Sequence, residues 1–588
     1  MSARPLPAIA GSRSEPVWRI DRVPAWTITA VLGVLYLIIA PQSADLAAAT
    51  YRSNLFGRVG FTLWDNGWYA GHHLPAYSLF APALGWLIGP ALLAALSMTL
   101  AAALFAALIE GRFPARAARV AAVWFAFGAG VSLLSSRVPF DMGLAVGLGA
   151  LVAAQRNRRA PALVLALACP LASPVAGGFL AVATLAWAMA GHFGAIRRPA
   201  GPRGPFLAGA DASHGPRSAR TTHSRALPVL MTLAALAPIA ALELAFPEGG
   251  TQPFVPSAFY PGLAGVLAIA VLIGVEERVL KVGTLLYAAA YIGAYAVPTA
   301  VGANVDRLGA LVAGPLAACV LLDRSALRRG IFLVLAPFLL YWQINAPLSD
   351  FAAAISNPSV RASYYAPLLG ELRALGVGDS ARPARIEVVP TNTHWEAVWV
   401  APHVAIARGW ERQLDGYRNG LFYEESTPLS AARYHAWLSQ QAISYVALPD
   451  APLDYSATAE GHLLVSAFAA GRGAGGAGPA QEARSFLREV WRSAHWRLFA
   501  VLDARALVEA PAVMTRMASD AFTLSVPVPG RYLVRVHFTG YWAVSRGHGC
   551  VSEAPGGWTY VQADRAGTLN VVIDFSPARI FSHGTRCR

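Results

Sequence analysis

Residues 24–82 read PAWTITAVLGVLYLIIAPQSADLAAATYRSNLFGRVGFTLWDNGWYAGHHLPAYSLFAP. The first part, 24–41, is an apolar run without a charged residue, and it is close to the length that a helix needs to cross a bilayer core. The part that follows is dense in aromatic, acidic, arginine and histidine residues. A membrane span followed by a polar loop outside the membrane is the simplest interpretation.

The composition of the whole chain agrees with this interpretation. Of the 588 residues, 55% are hydrophobic and 14% are charged, and the mean hydropathy is +0.45, whereas soluble domains carry about 25% charged residues. These values exclude a disordered chain, a collagen-like repeat and a disulfide-dense secreted scaffold. The length leaves room for a transmembrane domain and a folded domain outside the membrane.

The transmembrane domain is predicted over residues 24–346, where apolar runs recur. We expect a polytopic α-helical membrane protein with about eleven transmembrane helices. Pro82 and Pro90 interrupt the second run, so a short interfacial or re-entrant helix should precede a full span there. The predicted runs are 24–41, 79–109, 117–135, 138–154, 160–172, 174–190, 226–245, 261–275, 282–299, 307–322 and 330–346.

The positions of the basic residues predict the orientation. The N-terminal arm 1–23 and the turns on its side of the membrane contain 21 of the 47 basic residues, and the opposite connections within the transmembrane domain contain four. By the positive-inside rule, we expect a protein of the cell membrane whose N-terminal arm and disordered loop at 192–225 lie on the cytoplasmic side. An odd number of spans then places the C-terminal domain outside. Because the basic residues lie in separate short loops, a nucleic-acid partner is excluded.

The pattern after residue 347 changes to strands and amphipathic helices. Alternating helices and strands predict an extracytoplasmic α/β subdomain at 347–506, and short alternating strands predict a β-sandwich at 507–588 that resembles carbohydrate-binding sandwiches in pattern. Cys169 and Cys319 lie in predicted spans, whereas Cys550 and Cys587 both lie outside, where they can pair in an oxidising compartment. No cysteine or histidine spacing resembles a zinc site.

The first outside loop, 42–78, contains the main candidate site. A carboxylate at the mouth of a span can act as a general base, aromatic rings can stack on sugars, and Arg or His can neutralise phosphate. Asp45 and Asp65 are the candidate catalytic residues. The alternative is an interfacial aromatic belt with solvated or helix-capping carboxylates. The candidate substrate-binding residues of this loop are Arg52, Trp68, Tyr69, His72 and His73.

Further candidates lie at other outer span ends and in the C-terminal domain. Arg307 can bind a carrier phosphate, with a salt bridge to Asp306 or an interfacial anchor as the equal alternative. The other substrate-binding candidates are Arg137, Asn304, Asp306, His394 and Glu396.

A family resemblance rests on this first loop. A first span, an acidic residue at the start of a long outside loop, and the run WDNGWYAGHHLPAYSLFAP before the second span resemble the multispanning GT-C glycosyltransferases. The sequence is most similar to related bacterial membrane proteins labelled as 6-pyruvoyl-tetrahydropterin-synthase-related or as permeases. The resemblance implies transfer of a sugar from a polyprenyl-phosphate carrier, with the first-loop carboxylate as base. Asp45 is the best match to that residue and Asp65 is second.

The sequence therefore predicts a membrane glycosyltransferase that works at the outer face. Its expected partners are the lipid bilayer, a polyprenyl-phosphate sugar donor, and an envelope glycan or lipid as acceptor. No cofactor is assigned with certainty, and a divalent cation is compatible with the acidic candidates. A transporter or permease is the main alternative, although charges cluster at span ends and no clear repeat is present. A non-catalytic scaffold that binds envelope glycan is the third hypothesis.

Overall fold

The computed structural model describes residues 23–190, 226–378, 382–424, 427–468, 479–580 and 587. Residues 1–22 of the predicted cytoplasmic arm and the predicted disordered loop 192–225 lie outside the described residues. The described chain consists of a helical body followed by a β-rich C-terminal region.

Each apolar run predicted from the sequence overlaps at least one helix. Six helices are long and apolar enough to cross a membrane, or seven if the bent pair α1 and α2 forms one span, among the residues that the structure describes. The expected multi-pass helical protein is therefore present, while the count of about eleven spans and the orientation stay predictions. The helices of the body are α1 (Trp26–Ile39), α2 (Ala44–Val59), α3 (Ala81–Ile88), α4 (Pro90–Ile109), α5 (Ala115–Ser132), α6 (Val138–Gln155), α7 (Arg159–Ala172), α8 (Pro174–Ala190), α9 (Ala226–Ala245), α10 (Pro256–Leu272), α11 (Arg278–Ala296), α12 (Asp306–Leu321) and α13 (Ala326–Ala354).

Two breaks shape the start of the body. Helix α1 ends at Ala40 in a left-handed conformation, Pro41 follows, and Ser43 begins α2 by accepting a hydrogen bond from the Leu46 amide, so that the two helices meet at 78°. The second break lies at Gly89, where φ is +87°, between α3 and α4. The break expected from Pro82 and Pro90 is confirmed.

Small residues bring the helices that carry the site close together. A Cβ atom on Gly143 of α6 would lie 2.7 Å from the Ala176 Cβ and 2.8 Å from the Ser173 Cβ, so only glycine allows this approach of α8. On α12, a Cβ on Gly309 would lie 2.5 Å from the Trp342 ring. Gly143 lies two residues after Asp141, and Gly309 lies two residues after Arg307. The two glycines therefore let the helices that carry these charged residues pack closely against their neighbours.

The first part of the C-terminal region is an α/β unit. Its sheet has the order β4-β3-β5-β7-β6, in which β3 is parallel to β4 and β5, and β7 is antiparallel to β5 and β6. The elements are α14 (Ala362–Ala374), β3 (Arg385–Val388), α15 (Glu396–Trp399), β4 (Ala405–Ile406), α16 (Arg412–Arg418), α17 (Ala431–Gln440), β5 (Ile443–Pro449), α18 (Thr458–Ala467), α19 (Pro479–Phe486), β6 (Leu487–Arg492) and β7 (Trp496–Val501).

The second part is an antiparallel β-sandwich of two sheets with the orders β11-β14-β9-β8 and β10-β13-β12. Cys550 on β12 and Cys587 form a disulfide, which ties the end of the chain to the sandwich. The free cysteines Cys169 and Cys319 are buried in the helical body. The strands are β8 (Val513–Ala518), β9 (Ala521–Val526), β10 (Gly530–His537), β11 (Trp542–Arg546), β12 (Gly549–Ala554), β13 (Trp558–Ala563) and β14 (Gly567–Ile573), and a short helix α20 (Pro577–Ile580) follows.

The first loop packs between the helical body and both C-terminal units. It contains the two-residue strands β1 (Trp64–Asp65) and β2 (His72–His73), which pair with each other. The Asn66 amide donates to the Ser519 carbonyl at 2.8 Å, and the Ile406 amide donates to the Gly67 carbonyl at 3.0 Å. The loop is therefore a structural connection that holds the C-terminal region on one end of the body.

Candidate functional site

A cavity of about 1050 Å³ lies where the helical body meets the C-terminal region. The N-terminal turns of α2, α6 and α12 reach its wall, together with residues of 248–254, 299–305 and 410–413. The positive ends of helix dipoles favour anions at such a place. The charged residues on the wall are Asp45, Arg137, Asp141, Glu243, Glu248, Asp306, Arg307, Glu411 and Arg412.

Asp45 reaches the cavity because of the bend between α1 and α2. With Ser43 as the N-cap, Asp45 falls in the first turn of α2, where the helix dipole favours a carboxylate. The Asp45 side chain keeps 33% of its surface exposed, and its Oδ2 atom lies 3.4 Å from the Arg137 Nε atom. The sequence-based candidate for the base therefore lines the cavity as one half of an ion pair.

Arg137 links two carboxylates at the start of α6. Besides Asp45, its Nη2 atom lies 3.7 Å from the Asp350 Oδ2 atom, and the Ser135 hydroxyl donates to that same oxygen at 2.5 Å. Asp350, near the end of α13, was not among the sequence-based candidates. The guanidinium is thus held in place by groups from α2 and α13, and it faces the cavity.

Arg307 lies on the wall without an acidic partner. Among the described residues, no carboxylate is within ion-pair distance of its guanidinium, which rests 5.5 Å from the centre of the Phe140 ring. The adjacent Asp306 accepts hydrogen bonds from the Tyr291 hydroxyl at 2.6 Å and from the Trp342 indole at 3.1 Å. The alternative of an Arg307 to Asp306 salt bridge is therefore absent from this part of the structure, and the Arg307 charge faces the cavity.

Asp141 is another residue of the site that was not among the sequence-based candidates. It lies in the first turn of α6, its side chain is 1% exposed, and its Oδ2 atom has no hydrogen-bond partner among the described residues. In the sequence, Asp141 is a single carboxylate near the start of the apolar run 138–154, and this position was the only sign that it could belong to a site. The cavity thus presents a carboxylate and a guanidinium that are not paired with one another.

Arg52 of the first loop contacts two residues that line the cavity. Its Nη2 atom donates to the Glu411 carboxylate at 2.6 Å, and its guanidinium lies 3.8 Å from the centre of the Tyr77 ring. Burial raises the pKa of Glu411, and Arg52 counteracts this effect. Tyr77 and Glu411 line the cavity, so Arg52 contributes to the site by positioning its neighbours.

A second ion pair fastens the loop that follows α9. Glu248 pairs with Arg418 at 3.0 Å and with the His73 Nδ1 atom at 2.7 Å. Burial alone would raise the pKa of Glu248, but Arg418 and His73 outweigh burial and hold that pKa below its usual range. His73 is therefore engaged in holding this wall, and its ring also lies against Phe246.

The remaining first-loop candidates are buried beneath the C-terminal region. Asp65 accepts hydrogen bonds from the Tyr51 hydroxyl at 2.7 Å and from the Gly67 amide at 3.0 Å, and burial raises its pKa. Trp68 and His72 stack with an angle of 6° between their rings, and burial lowers the pKa of His72 to about 3. Asp65 and His72 thus have the surroundings of structural residues, and neither lines the cavity.

Tyr69 and the candidates of the α/β unit also have structural partners. The Tyr69 hydroxyl accepts a hydrogen bond from the Glu411 amide at 2.9 Å. His394 lies 3.3 Å from both Glu396 and Asp454, and these carboxylates raise its pKa although burial opposes them. Its ring stacks on Trp410 at 3.7 Å, and Trp410 lines the cavity. His394 and Glu396 therefore support the cavity wall from behind.

The structure thus brings together five of the sequence-based candidates on one cavity and places the other eight in the contacts behind it. The five on the wall are Asp45, Arg137, Asn304, Asp306 and Arg307. In the part of the chain that is described, no three His, Cys, Asp or Glu side chains are grouped so as to hold a metal ion. The described residues therefore show no such group for the divalent cation that the sequence allowed.

Comparisons with known proteins give little further guidance. No protein-family profile matches the chain, and no curated protein sequence matches it. Among solved structures, it is similar to the archaeal oligosaccharyltransferase AglB from Archaeoglobus fulgidus, described in complex with an inhibitory peptide and a dolichol-phosphate. The identity is 13% and the TM-score is 0.33, over 72% of this chain and 69% of that chain. At this TM-score the likeness carries no functional weight.

Proposed function

We propose that this protein is a membrane glycosyltransferase that moves a sugar from a polyprenyl-phosphate donor to an envelope glycan or lipid, in the cavity between the helical body and the C-terminal region. The observation that supports it best is Arg307, a cation on the wall of a large cavity with no acidic partner among the described residues. A charge in that position at the end of a membrane helix is costly unless a ligand uses it.

The donor phosphate is proposed to bind between Arg307 and Arg137. Guanidinium groups match phosphate oxygens in geometry and keep their charge at all physiological pH values. The N-terminal turns of α6 and α12 add the partial positive charge of helix dipoles. Stabilising the negative charge that develops on the departing phosphate is the main contribution that these groups make to the rate.

The acceptor is proposed to enter from the side of the C-terminal region. Trp410 and Tyr77 give the wall aromatic surface, on which sugar rings commonly stack. A carboxylate of the wall then takes the proton of the acceptor hydroxyl, and Asp45 and Asp141 are the two candidates. The proposed orientation, with the C-terminal region outside the cell, gives access to envelope acceptors.

Sugar transfer can be measured with the full chain in lipid nanodiscs. We expect label to pass from short-chain polyprenyl-phosphate hexoses to an envelope extract, and Arg307→Met to lower the rate by about 100-fold, because one preorganised donor to a developing charge is worth 10²–10³ in rate. Arg58→Met is the matched control, since Arg58 is exposed. Absence of covalent product, together with counterflow of free sugar in liposomes, would establish the transporter instead.

The proposed orientation has its own test. Single cysteines introduced within 192–225 and after residue 350 are expected to react with a membrane-impermeant thiol reagent from opposite sides of the cell membrane. Labelling of both from the same side contradicts an extracytoplasmic C-terminal region.

A further inference from the structure

Asp141 differs from the other buried and half-buried carboxylates of the cavity wall. The others have charged or hydrogen-bonding partners on the protein: Asp45 has Arg137, Asp306 has Tyr291 and Trp342, Glu248 has Arg418, and Glu411 has Arg52. The Asp141 Oδ2 atom has no such partner among the described residues, although the side chain is 1% exposed. A buried polar atom without a partner is costly, and in native proteins it calls for an explanation.

Helix capping does not supply that explanation. Asp141 lies in the first turn of α6, where the dipole favours a carboxylate. However, an N-cap carboxylate gains its stability by accepting hydrogen bonds from free backbone amides, and the Asp141 side chain accepts none in the part of the chain that is described. The Asp141 carboxylate instead lines the cavity.

The unpartnered carboxylate lies in the same electrostatic environment as the unpartnered cation. The Arg307 guanidinium lies 5.5 Å from the centre of the ring of Phe140, the residue that precedes Asp141, and forms no ion pair with Asp141 within the described residues. A ligand that satisfies both must offer an anion to Arg307 and a hydrogen-bond donor to Asp141. A sugar phosphate next to an acceptor hydroxyl offers this pair of groups.

We propose that Asp141 is the carboxylate that accepts the proton of the acceptor hydroxyl, an inference that rests on the function proposed above. As the acceptor oxygen forms its bond to the anomeric carbon, the bond from that carbon to the phosphate oxygen breaks. The electron pair leaves with the polyprenyl phosphate, and the hydroxyl proton passes to the Asp141 carboxylate. Asp45 is then a positioning residue, because its carboxylate is paired with Arg137.

Two asparagine variants separate these roles. Asp141→Asn keeps the shape of the side chain but cannot take a proton, so we expect kcat to fall 10²-fold to 10⁴-fold, the usual contribution of a general base. Asp45→Asn releases Arg137, so we expect mainly a rise in the KM for the donor. Glu110→Gln is the matched control, because Glu110 is an exposed carboxylate of the helical body that does not line the cavity.

Chemical rescue distinguishes a proton acceptor from a structural residue, because a small carboxylic acid can restore the transfer rate only if the missing side chain accepted a proton. Asp141→Ala leaves room in the cavity for formate, and we expect added formate to restore transfer by at least about 10-fold in this variant while leaving Asp45→Asn unchanged. If the alanine variant does not fold, Asp141→Ser leaves similar room and replaces it. The thermal unfolding temperature of each variant reports folding independently of activity.

The outcomes are distinct. An active wild-type chain whose Asp141→Asn variant keeps its kcat overturns the assignment of Asp141 alone, as does a folded Ala or Ser variant that formate does not rescue. A wild-type chain that transfers no sugar from any lipid-phosphate donor overturns the proposed function, and the role of Asp141 with it.

Discussion

The Arg137 guanidinium lies between the carboxylates of Asp45 and Asp350, 3.4 Å from the first and 3.7 Å from the second. Arg137 immediately precedes α6, Asp45 lies in α2 and Asp350 lies in α13, and the three residues meet at one end of the helical body. Two carboxylates around one guanidinium hold the cation in a defined direction, toward the cavity. This relationship makes Arg137 the residue on which the geometry of the proposed phosphate site depends.

Replacing Arg137 is therefore expected to affect both activity and folding. Arg137→Met removes a proposed phosphate ligand and leaves Asp45 and Asp350 without their cation, so transfer should fall by about 100-fold or more. Arg137→Lys keeps the charge but loses the forked geometry, and we expect an intermediate rate. Arg58→Met serves again as the control in the same transfer assay. A rate for Arg137→Met equal to that of the wild-type chain contradicts a role in phosphate binding.

A buried arginine in the α/β unit is expected to matter for stability. Arg408 donates to the Asp415 carboxylate at 2.7 Å and lies 3.6 Å from Glu460, and its side chain is fully buried. Arg408→Met leaves buried carboxylates without their cation, so it should destabilise the protein by roughly 3–5 kcal/mol. The exposed pair of Arg433 and Glu424 is the matched control, since Arg433→Met should cost less than about 1 kcal/mol.

Urea unfolding of the detergent-solubilised full chain, followed by tryptophan fluorescence, measures both changes. If the two variants lose the same stability, the buried cluster does not contribute in the way proposed.

The same cluster predicts a dependence of stability on pH. Burial raises the pKa of Glu387 well above its usual range, and burial raises the pKa of Glu460 to about 7 although Arg408 opposes it. A carboxyl with a raised pKa binds its proton more tightly in the folded state. Its stabilising contribution is therefore complete below the unfolded value near 4.3, and it is lost as the pH rises through about 7.

Thermal unfolding of the full chain between pH 5 and pH 8 checks this prediction. We expect the unfolding temperature to fall as the pH rises over this range, and Glu387→Gln to reduce that slope because glutamine carries no proton to lose. Glu424→Gln, an exposed change, should leave the slope as it is. A wild-type unfolding temperature that rises steadily from pH 5 to pH 8 contradicts the prediction.

The disulfide offers a test of both stability and compartment. Cys550 and Cys587 close a loop with a sequence separation of 37, and a crosslink of that size stabilises a fold by roughly 3–4 kcal/mol. Cys587→Ser should lower the stability of the sandwich by that order in urea unfolding.

Thiol counting checks the bond directly. In the unfolded and unreduced wild-type chain, only Cys169 and Cys319 should react with a thiol reagent, out of four cysteines in the sequence. Four reactive thiols in protein purified without reductant would show that the bond does not form in the cell.

Much of the fold follows from local patterns that the sequence displays. Helix α8 begins at the predicted residue 174, and the short alternating strands predicted after residue 507 appear as β8 to β14. Such elements are predictable because one buried face imposes a period of 3.6 or 2 residues. Helix α2 escaped prediction, because Arg52, Asn54 and Arg58 interrupt the apolar run of the first loop.

The candidate site was predictable only in part. Asp45, Arg137 and Arg307 stood out because few charged residues lie at the predicted outer ends of the spans. Asp65 and His72 stood out for the same reason, yet they lie in contacts behind the cavity. Residue type and position along the chain do not distinguish a carboxylate that faces a cavity from one that a tyrosine and a backbone amide enclose.

The sequence by itself determined that this is a membrane protein with a β-rich C-terminal region, because hydropathy and alternation are properties of neighbouring residues. Only the tertiary structure decided that Asp45, Arg137, Asp141 and Arg307 share one cavity. Among the described residues, Arg307 has no acidic partner there and the Asp141 Oδ2 atom has no hydrogen-bond partner, whereas Asp45 and Arg137 pair with each other.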